Sequence, residues 1–304
     1  MRCYRISLIF LGIISAIAIG FAAEGQEIGS FIKQLQNEEE IVEIRRKAAH
    51  ALGQIGDPAS ITVLVKSLQD ERGEVRAAAA SALVRIGSPT VPELIRSLNS
   101  KDAVVRSTAA YALGRIGEPN AIPALVQALN DQRWEVRQNA ASALGKIDQS
   151  SQTVVFALIQ ALSDKHTNVR IWAASMLGQI GAPAEAAIPG LAHVLNHQQV
   201  TLRGTAAKAL GQIGVPTQTA IAALMNALND ASPWVRANAA YALAQVDNSK
   251  HDMAVRVLTE VLRCKMAGVR LYAARALAAM DGISRPRFHR DAKQPTVIKL
   301  ARTQ

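Results

Sequence analysis

The side chains of this 304-residue chain most able to bind a metal or act as nucleophiles are Cys3, Cys264 and six histidines: His50, His166, His193, His197, His251 and His289. Their positions give no metal-ligand spacing, and Cys264 reads as a packed thiol. No H-E-x-x-H, no Gly-rich phosphate loop and no paired carboxylates stand out. The sequence therefore nominates no catalytic residue, no metal ligand and no cofactor, and the chain reads as a non-enzyme. The chemistry it does offer is recognition. Basic and aromatic residues recur through the chain, and eight of them are candidates to contact a partner: Arg85, Tyr111, Arg115, Lys146, Trp172, Lys208, Tyr241 and Tyr272. Aromatic and cationic side chains on an exposed wall suit a protein or peptide partner, an acidic one included.

The elements that must position these residues are repeated. Eight segments share one pattern, among them IRRKAAHALGQIG from Ile44, VRSTAAYALGRIG from Val105, VRIWAASMLGQIG from Val169 and VRANAAYALAQVD from Val235. Their arginines, Arg45, Arg76, Arg106, Arg137, Arg170, Arg203, Arg236 and Arg270, lie 30 to 34 residues apart. An apolar set spaced i, i+3, i+4, i+7 precedes most of them, as in Ile61, Leu64, Val65, Leu68 and Val155, Leu158, Ile159, Leu162. That spacing is one face of an amphipathic helix. Each unit is thus a helix A, a turn and a helix B. Pro92, Pro123 and Pro189 fall at the start of helix A, where a missing N–H is harmless. Glycines after helix B, often followed by proline, read as helix caps and stops. A helix pair cannot bury its apolar faces alone, but stacked pairs can.

On these residues the units resemble HEAT repeats of the short bacterial type also found in phycobilisome lyases. The shared signature is a proline-led helix A, a turn aspartate, then V-R-x-x-A-A-x-A-L-G-x-I-G. Tetratricopeptide and ankyrin periods are close, about 34 and 33 residues, but their motifs are absent. The resemblance implies an all-α fold, an α-solenoid of about eight stacked two-helix HEAT-like repeats, over residues 26–282. It also implies two enzymatic alternatives. A bilin lyase or lyase-like chaperone would work in the cytoplasm. A hydroxylase of the deoxyhypusine type would hold iron with His-Glu pairs, and no His-Glu dipeptide occurs here.

Counting from the repeat arginine, positions +3, +4, +6, +7 and +10 fall on one helix face and are expected in the core. Positions +2, +5 and +9 point away and should form the inner, concave wall of the B helices. The +2, +5 and +9 rows contain no Asp or Glu. Each arginine stands in the first turn of helix B, where the helix dipole disfavours a cation. A turn residue six positions earlier, Asp in four repeats, suggests an arginine–carboxylate link between neighbouring turns, interrupted at His197 and Cys264. Trp134 and Trp234 are expected to pack against the neighbouring turn, and Trp172 and Tyr272 to make partner contacts.

Apolar residues make up 49% of the chain and aromatics only 4%, which excludes wholesale disorder and calls for a core of small aliphatic side chains. The net charge of +10 is unevenly spread: residues 1–25 carry +1, residues 281–304 carry +4, and the repeat body keeps +5, with eight of its basic groups in the arginine ladder. A nucleic-acid-binding stripe is therefore not expected. Arg2 and Arg5 precede an apolar run from Ile6 to Phe21 and small residues before Glu24. Residues 1–25 thus read as a signal peptide or membrane anchor, which places the rest outside the cytoplasm, in periplasm or lumen. Residues 283–304 read as a basic tail without stable structure. The functional expectation is an exported scaffold or assembly factor that binds a protein or peptide on its concave face.

Overall fold

The computed structural model describes residues 27–37 and 40–283. Residues 1–25 and, but for Ile283, the tail 283–304 lie outside the described residues, and with them the expected signal and tail. Among the described residues there are sixteen α-helices and no strand, and no helix is long and apolar enough to cross a membrane. The fold is an all-α solenoid of two-helix repeats. The A helices are α1 (27–36), α3 (Ile61–Lys66), α5 (Val91–Ser97), α7 (Ile122–Ala128), α9 (Gln152–Ala161), α11 (Ile188–Val194), α13 (Gln218–Ala227) and α15 (His251–Val261). The B helices are α2 (Val42–Ile55), α4 (Gly73–Ile86), α6 (Ala103–Ile116), α8 (Trp134–Ile147), α10 (Thr167–Ile180), α12 (Val200–Ile213), α14 (Pro233–Val246) and α16 (Ala267–Ile283). The chain divides within α7 into two compact units, Met1–Ala124 and Leu125–Gln304.

Helix boundaries follow local chemistry. Short 3₁₀ turns led by proline, such as Pro58–Ser60 and Pro119–Ala121, feed into the A helices. Gly87 ends α4 at φ 81°, ψ −139°, a conformation open only to glycine, and its N–H still reaches the Leu83 carbonyl. In three repeats the motif ends in aspartate, and Asp281 continues within α16. Asp148 and Asp247 take extended backbone instead, and each side chain accepts the N–H two residues on, from Ser150 at 2.8 Å and Ser249 at 2.9 Å.

The core follows the +3, +4, +6 and +7 positions. Every alanine at +3 is fully buried, from Ala48 to Ala273, and so are the leucines at +7 from Leu52 to Leu177. Each such leucine contributes roughly 2 kcal/mol of apolar transfer. The +10 row departs from expectation: it is buried from Ile180 onward, but Ile55 is 41% exposed.

Within each unit the B helices are the closely packed layer: α2 on α4 and α4 on α6 in the first, then α8 on α10, α10 on α12, α12 on α14 and α14 on α16 in the second. Neighbouring A helices meet far less. The glycines after helix B cap it as expected, at Gly56, Gly87, Gly117, Gly181 and Gly214, but not every glycine is a cap. Those at +8 are the seams of the B layer. A Cβ added to Gly53 would stand 2.5 Å from Ala82 Cα, one on Gly178 would stand 2.8 Å from Ala209 Cα, and one on Gly211 2.7 Å from Ala242 Cα. Gly53, Gly145, Gly178 and Gly211 thus each receive the +6 residue of the next repeat.

The arginine ladder makes the expected carboxylate links between neighbouring turns and adds a backbone bond that the sequence did not suggest. Seven of the guanidiniums donate to the main-chain carbonyl six residues earlier, from Arg76 to Asp70 O at 2.7 Å through Arg203 to His197 O at 2.8 Å and Arg270 to Cys264 O at 3.0 Å. Because the acceptor is backbone, the side chain there is free to vary. These carbonyls also offset the unfavourable dipole of the first turn. The carboxylate partner comes from the next repeat. Arg137 forks onto Asp164 at 2.6 and 2.8 Å, Arg203 forks onto Asp230 at 2.6 and 2.9 Å, and Arg45 pairs with Asp70. Burial alone would raise the Asp164 and Asp230 carboxyls, but the arginine forks and the N–H groups of His166 and Ser232 outweigh it and hold both below the usual range.

His197 occupies the same position for Arg170. Its Nε2 lies 3.1 Å from Arg170 Nη2, and its Nδ1 accepts the Gln199 N–H at 3.0 Å. A neutral imidazole has one acceptor nitrogen, not two, so one of these bonds is always compromised. The Arg170 Nε is correspondingly buried without a partner. In two other repeats an aspartate, Asp164 or Asp230, accepts from all three donors. His197→Asp is therefore expected to raise stability by about 1 kcal/mol, read as a higher urea midpoint. A midpoint equal to or below that of the parent chain would contradict the ladder geometry.

Candidate binding surface on the B helices

The +9 row lies fully on the exposed face of the B helices: Gln54, Arg85, Arg115, Lys146, Gln179, Gln212, Gln245 and Ala279 are all exposed. The +2 and +5 rows are mixed. Ser142 and Asn238, expected on the open wall, are buried. Of the eight candidate contact residues, three belong to the first unit. Arg85 is exposed on α4, and Tyr111, 43% exposed, accepts a 2.8 Å bond from Arg115 one turn on in α6. The guanidinium carbon also stands 5.8 Å from the Tyr111 ring centre, so these two groups satisfy each other.

In the second unit, Lys146 is exposed on α8 and stands apart from the rest. Trp172 of α10, Lys208 of α12 and Tyr272 of α16 converge on one pocket of about 340 Å³, whose other walls include Thr205, Trp234 and Asn238. Tyr241 does not line it. Burial, reinforced by Tyr241, pushes the Tyr272 phenol up to about 12, so it stays neutral across the physiological range.

Trp234, expected against the neighbouring turn, packs on residues within α12 and α16, and lines the pocket as well. Its indole lies directly on Gly204, where a Cβ would stand 2.5 Å from Nε1. Only a glycine on α12 allows that approach. The indole also meets Tyr272, with ring centres 5.0 Å apart and planes tilted by 59°. One turn beyond Trp234, Asn238 is 1% exposed. Its Nδ2 donates to the Trp234 carbonyl at 2.8 Å, which fixes the amide orientation. Its Oδ1 is buried with no partner. An acceptor left in that state costs about 1–3 kcal/mol.

Asn238 was the residue that sequence reasoning passed over. It stands in the +2 row as an ordinary polar residue, and the only hint of its role is Trp234 four positions before it.

The profile of HEAT repeats matches the chain in overlapping stretches at residues 28–113, 91–156, 122–201, 155–225, 188–278 and 221–294. No curated protein sequence matches it significantly. Among solved structures, Kap121p superposes with a TM-score of 0.65 at 15% identity, covering 86% of this chain and 34% of that one. The Kap95:Nup1 complex superposes at 0.62 with 18% identity, covering 84% of this chain and 40% of that one. The CpcE–CpcF complex of phycocyanin lyase from Nostoc sp. PCC7120 is 26% identical over 75% of this chain and 91% of that one, but its TM-score of 0.42 is too low to bear on function. The repeated profile, together with the stacked hairpins, makes this chain a member of the HEAT-repeat family.

Proposed function

We propose that the chain is an exported, non-catalytic scaffold that holds a protein partner against the concave face of its B helices. The observation that carries this reading is the pocket between α10, α12, α14 and α16, where three aromatic side chains line an opening on an otherwise polar wall. Aromatic anchors in such recesses supply most of the energy of protein contacts. Kap121p, which shares the fold, is known in a complex with the extreme C-terminus of Cdc14p. Export is supported by Arg2 and Arg5 ahead of the apolar run from Ile6 to Phe21.

The test is site-specific photo-crosslinking in intact cells with a benzophenone amino acid at Gln212 on the B face or at Phe156 on α9. Gln212 is expected to give a discrete protein adduct and Phe156 none, on a chain whose N-terminal sequencing places its start near Glu24. Adducts from Phe156 alone would move the partner to the other face, and an uncleaved cytosolic chain would refute export.

A further inference from the structure

We infer that copies of this chain stack end to end, with α16 of one copy seated on α2 of the next as a further seam of the same B layer. The inference is independent of the concave-face reading above.

The internal seams define what each end presents. Where a B helix meets its successor, three pairs of positions touch. The residue at −3 meets the one at −4 of the next repeat, as Trp134 stacks on His166 with ring centres 4.1 Å apart and planes within 8°. The residue at +1 meets the one at −2, as Gly204 takes the Trp234 indole. The residue at +8 meets the one at +6, as Gly53 does Ala82 and Gly178 does Ala209. Positions −3, +1 and +8 therefore face forward along the array, and −4, −2 and +6 face backward.

Both sets are open at the ends. On α16 the forward positions are Ala267, Leu271 and Ala278, all exposed, Leu271 by 49%. Ala274 beside them is half-buried, whereas the alanines at its position from Ala49 to Ala240 are buried. Ala278 stands where most repeats have the seam glycine. Ala244 does the same in α14, and there it is buried in the contact with α16, so alanine suits a seam. At α2 the backward positions are Ile41, 67% exposed just ahead of the helix, the exposed Glu43 and the half-buried Ala51. Every later residue at the Ala51 position, from Ala82 to Ala276, is buried. A solenoid end that stays in water carries polar residues on its outer face. The forward set of α16 has none.

Charge distinguishes the two ends and fixes their order. Arg270 bonds the Cys264 and Lys265 carbonyls of its own turn at 3.0 and 3.1 Å. Arg137 and Arg203 hold, in addition, a carboxylate of the following repeat, and no described repeat follows Arg270. Arg275, one turn beyond Leu271, is exposed. The α2 end offers Glu40 and Glu43. The pairs of Glu43 with Arg46 and Lys47 are exposed contacts within one helix, which hold it weakly. An α16 end on an α2 end therefore brings Leu271 and Ala267 onto an apolar surface and arginines onto glutamates, whereas two α16 ends would repel. Such a head-to-tail contact leaves a fresh end on every added copy, so the series is open.

The experiment is sedimentation velocity of the full chain purified from expressing cells, over a wide range of concentration. The samples are the parent chain, Ile41→Asp, Leu271→Asp and an equimolar mixture of these two variants. Both positions are exposed, so both variants should keep the parent's thermal midpoint. The parent's mass is expected to climb with concentration without stopping at two copies. Each variant alone should stay single, having lost one end. Their mixture should form a pair and go no further, because each supplies the end that the other lacks. Glu43→Arg should weaken the series, and adding Arg275→Glu to it should restore it. A parent chain that is single at every concentration would overturn the inference, with the α16 end covered by the residues that follow it or left in water. It would be overturned too by association that persists in each variant alone, as when residues 1–25 drive it, or by a mixture that forms no pair.

Discussion

Arg137→Ala is expected to lower the stability of the second unit by about 3 kcal/mol, whereas Lys146→Ala, nine residues on in the same helix, should stay within about 0.5 kcal/mol. The contrast follows from what each side chain leaves behind. The Arg137 side chain is 4% exposed and its partner Asp164 10% exposed. Removing the guanidinium strands a nearly buried carboxylate and unpairs the carbonyls of Asp131 and Gln132, which accept from Arg137 at 2.8 and 3.2 Å. Asp164 keeps the His166 N–H at 2.7 Å, so the loss falls at the lower end for a broken buried pair. Lys146 is exposed and shares none of these bonds. Urea unfolding of the two variants decides the matter. Equal midpoints would mean that the ladder contributes nothing to stacking.

Gly211→Leu should destabilise by a similar amount, about 3 kcal/mol, because it overpacks a seam rather than emptying a core. The first atom of any side chain at Gly211 meets Ala242 Cα at 2.7 Å and Gln245 Oε1 at 2.7 Å. A glutamine tip can swing away, but the α14 backbone cannot without parting α14 from α12. Those two helices carry Gly204, Trp234 and Asn238, so the same substitution should open the aromatic pocket and shift Trp fluorescence to the red in the folded state. Gly73→Leu is the matched control, since the nearest atom to a Cβ there is the Arg76 Nη2 at 3.5 Å. A thermal midpoint for Gly211→Leu equal to that of the control would refute the seam.

The repeat architecture was legible because its signals are local and repeated eight times. The Ala-Ala and Ala-Leu positions, the prolines of the A helices and the closing glycines each follow from helix geometry, and Leu52 through Leu177 are buried where the periodicity puts them. Two features were not legible. The +8 glycines share their residue type with the caps, and only the approach of the next helix separates a seam such as Gly178 from a stop such as Gly87. Asn238 looks like Thr205 or Asn139 in its row. The indole of Trp234, one turn before it, lies against Gly204, a contact between residues 30 apart that no single-helix pattern encodes. Trp172, Lys208 and Tyr272 were found because bulky or charged groups in variable positions are conspicuous. Their convergence was not, since Arg85 and Lys146 occupy equivalent rows and stay outside the pocket.

The repeat arginine's bond to a carbonyl six residues behind it bears on how such a chain can grow. From Arg76 to Arg270 every hairpin supplies that acceptor from its own backbone, whatever its turn residue is. A duplicated hairpin inserted anywhere in the array would arrive with its guanidinium already anchored, and would need only a downstream carboxylate to be welded to its successor. Length can then change by whole copies while the variable rows drift toward new partners, so the number of hairpins and the choice of partner become separate evolutionary variables.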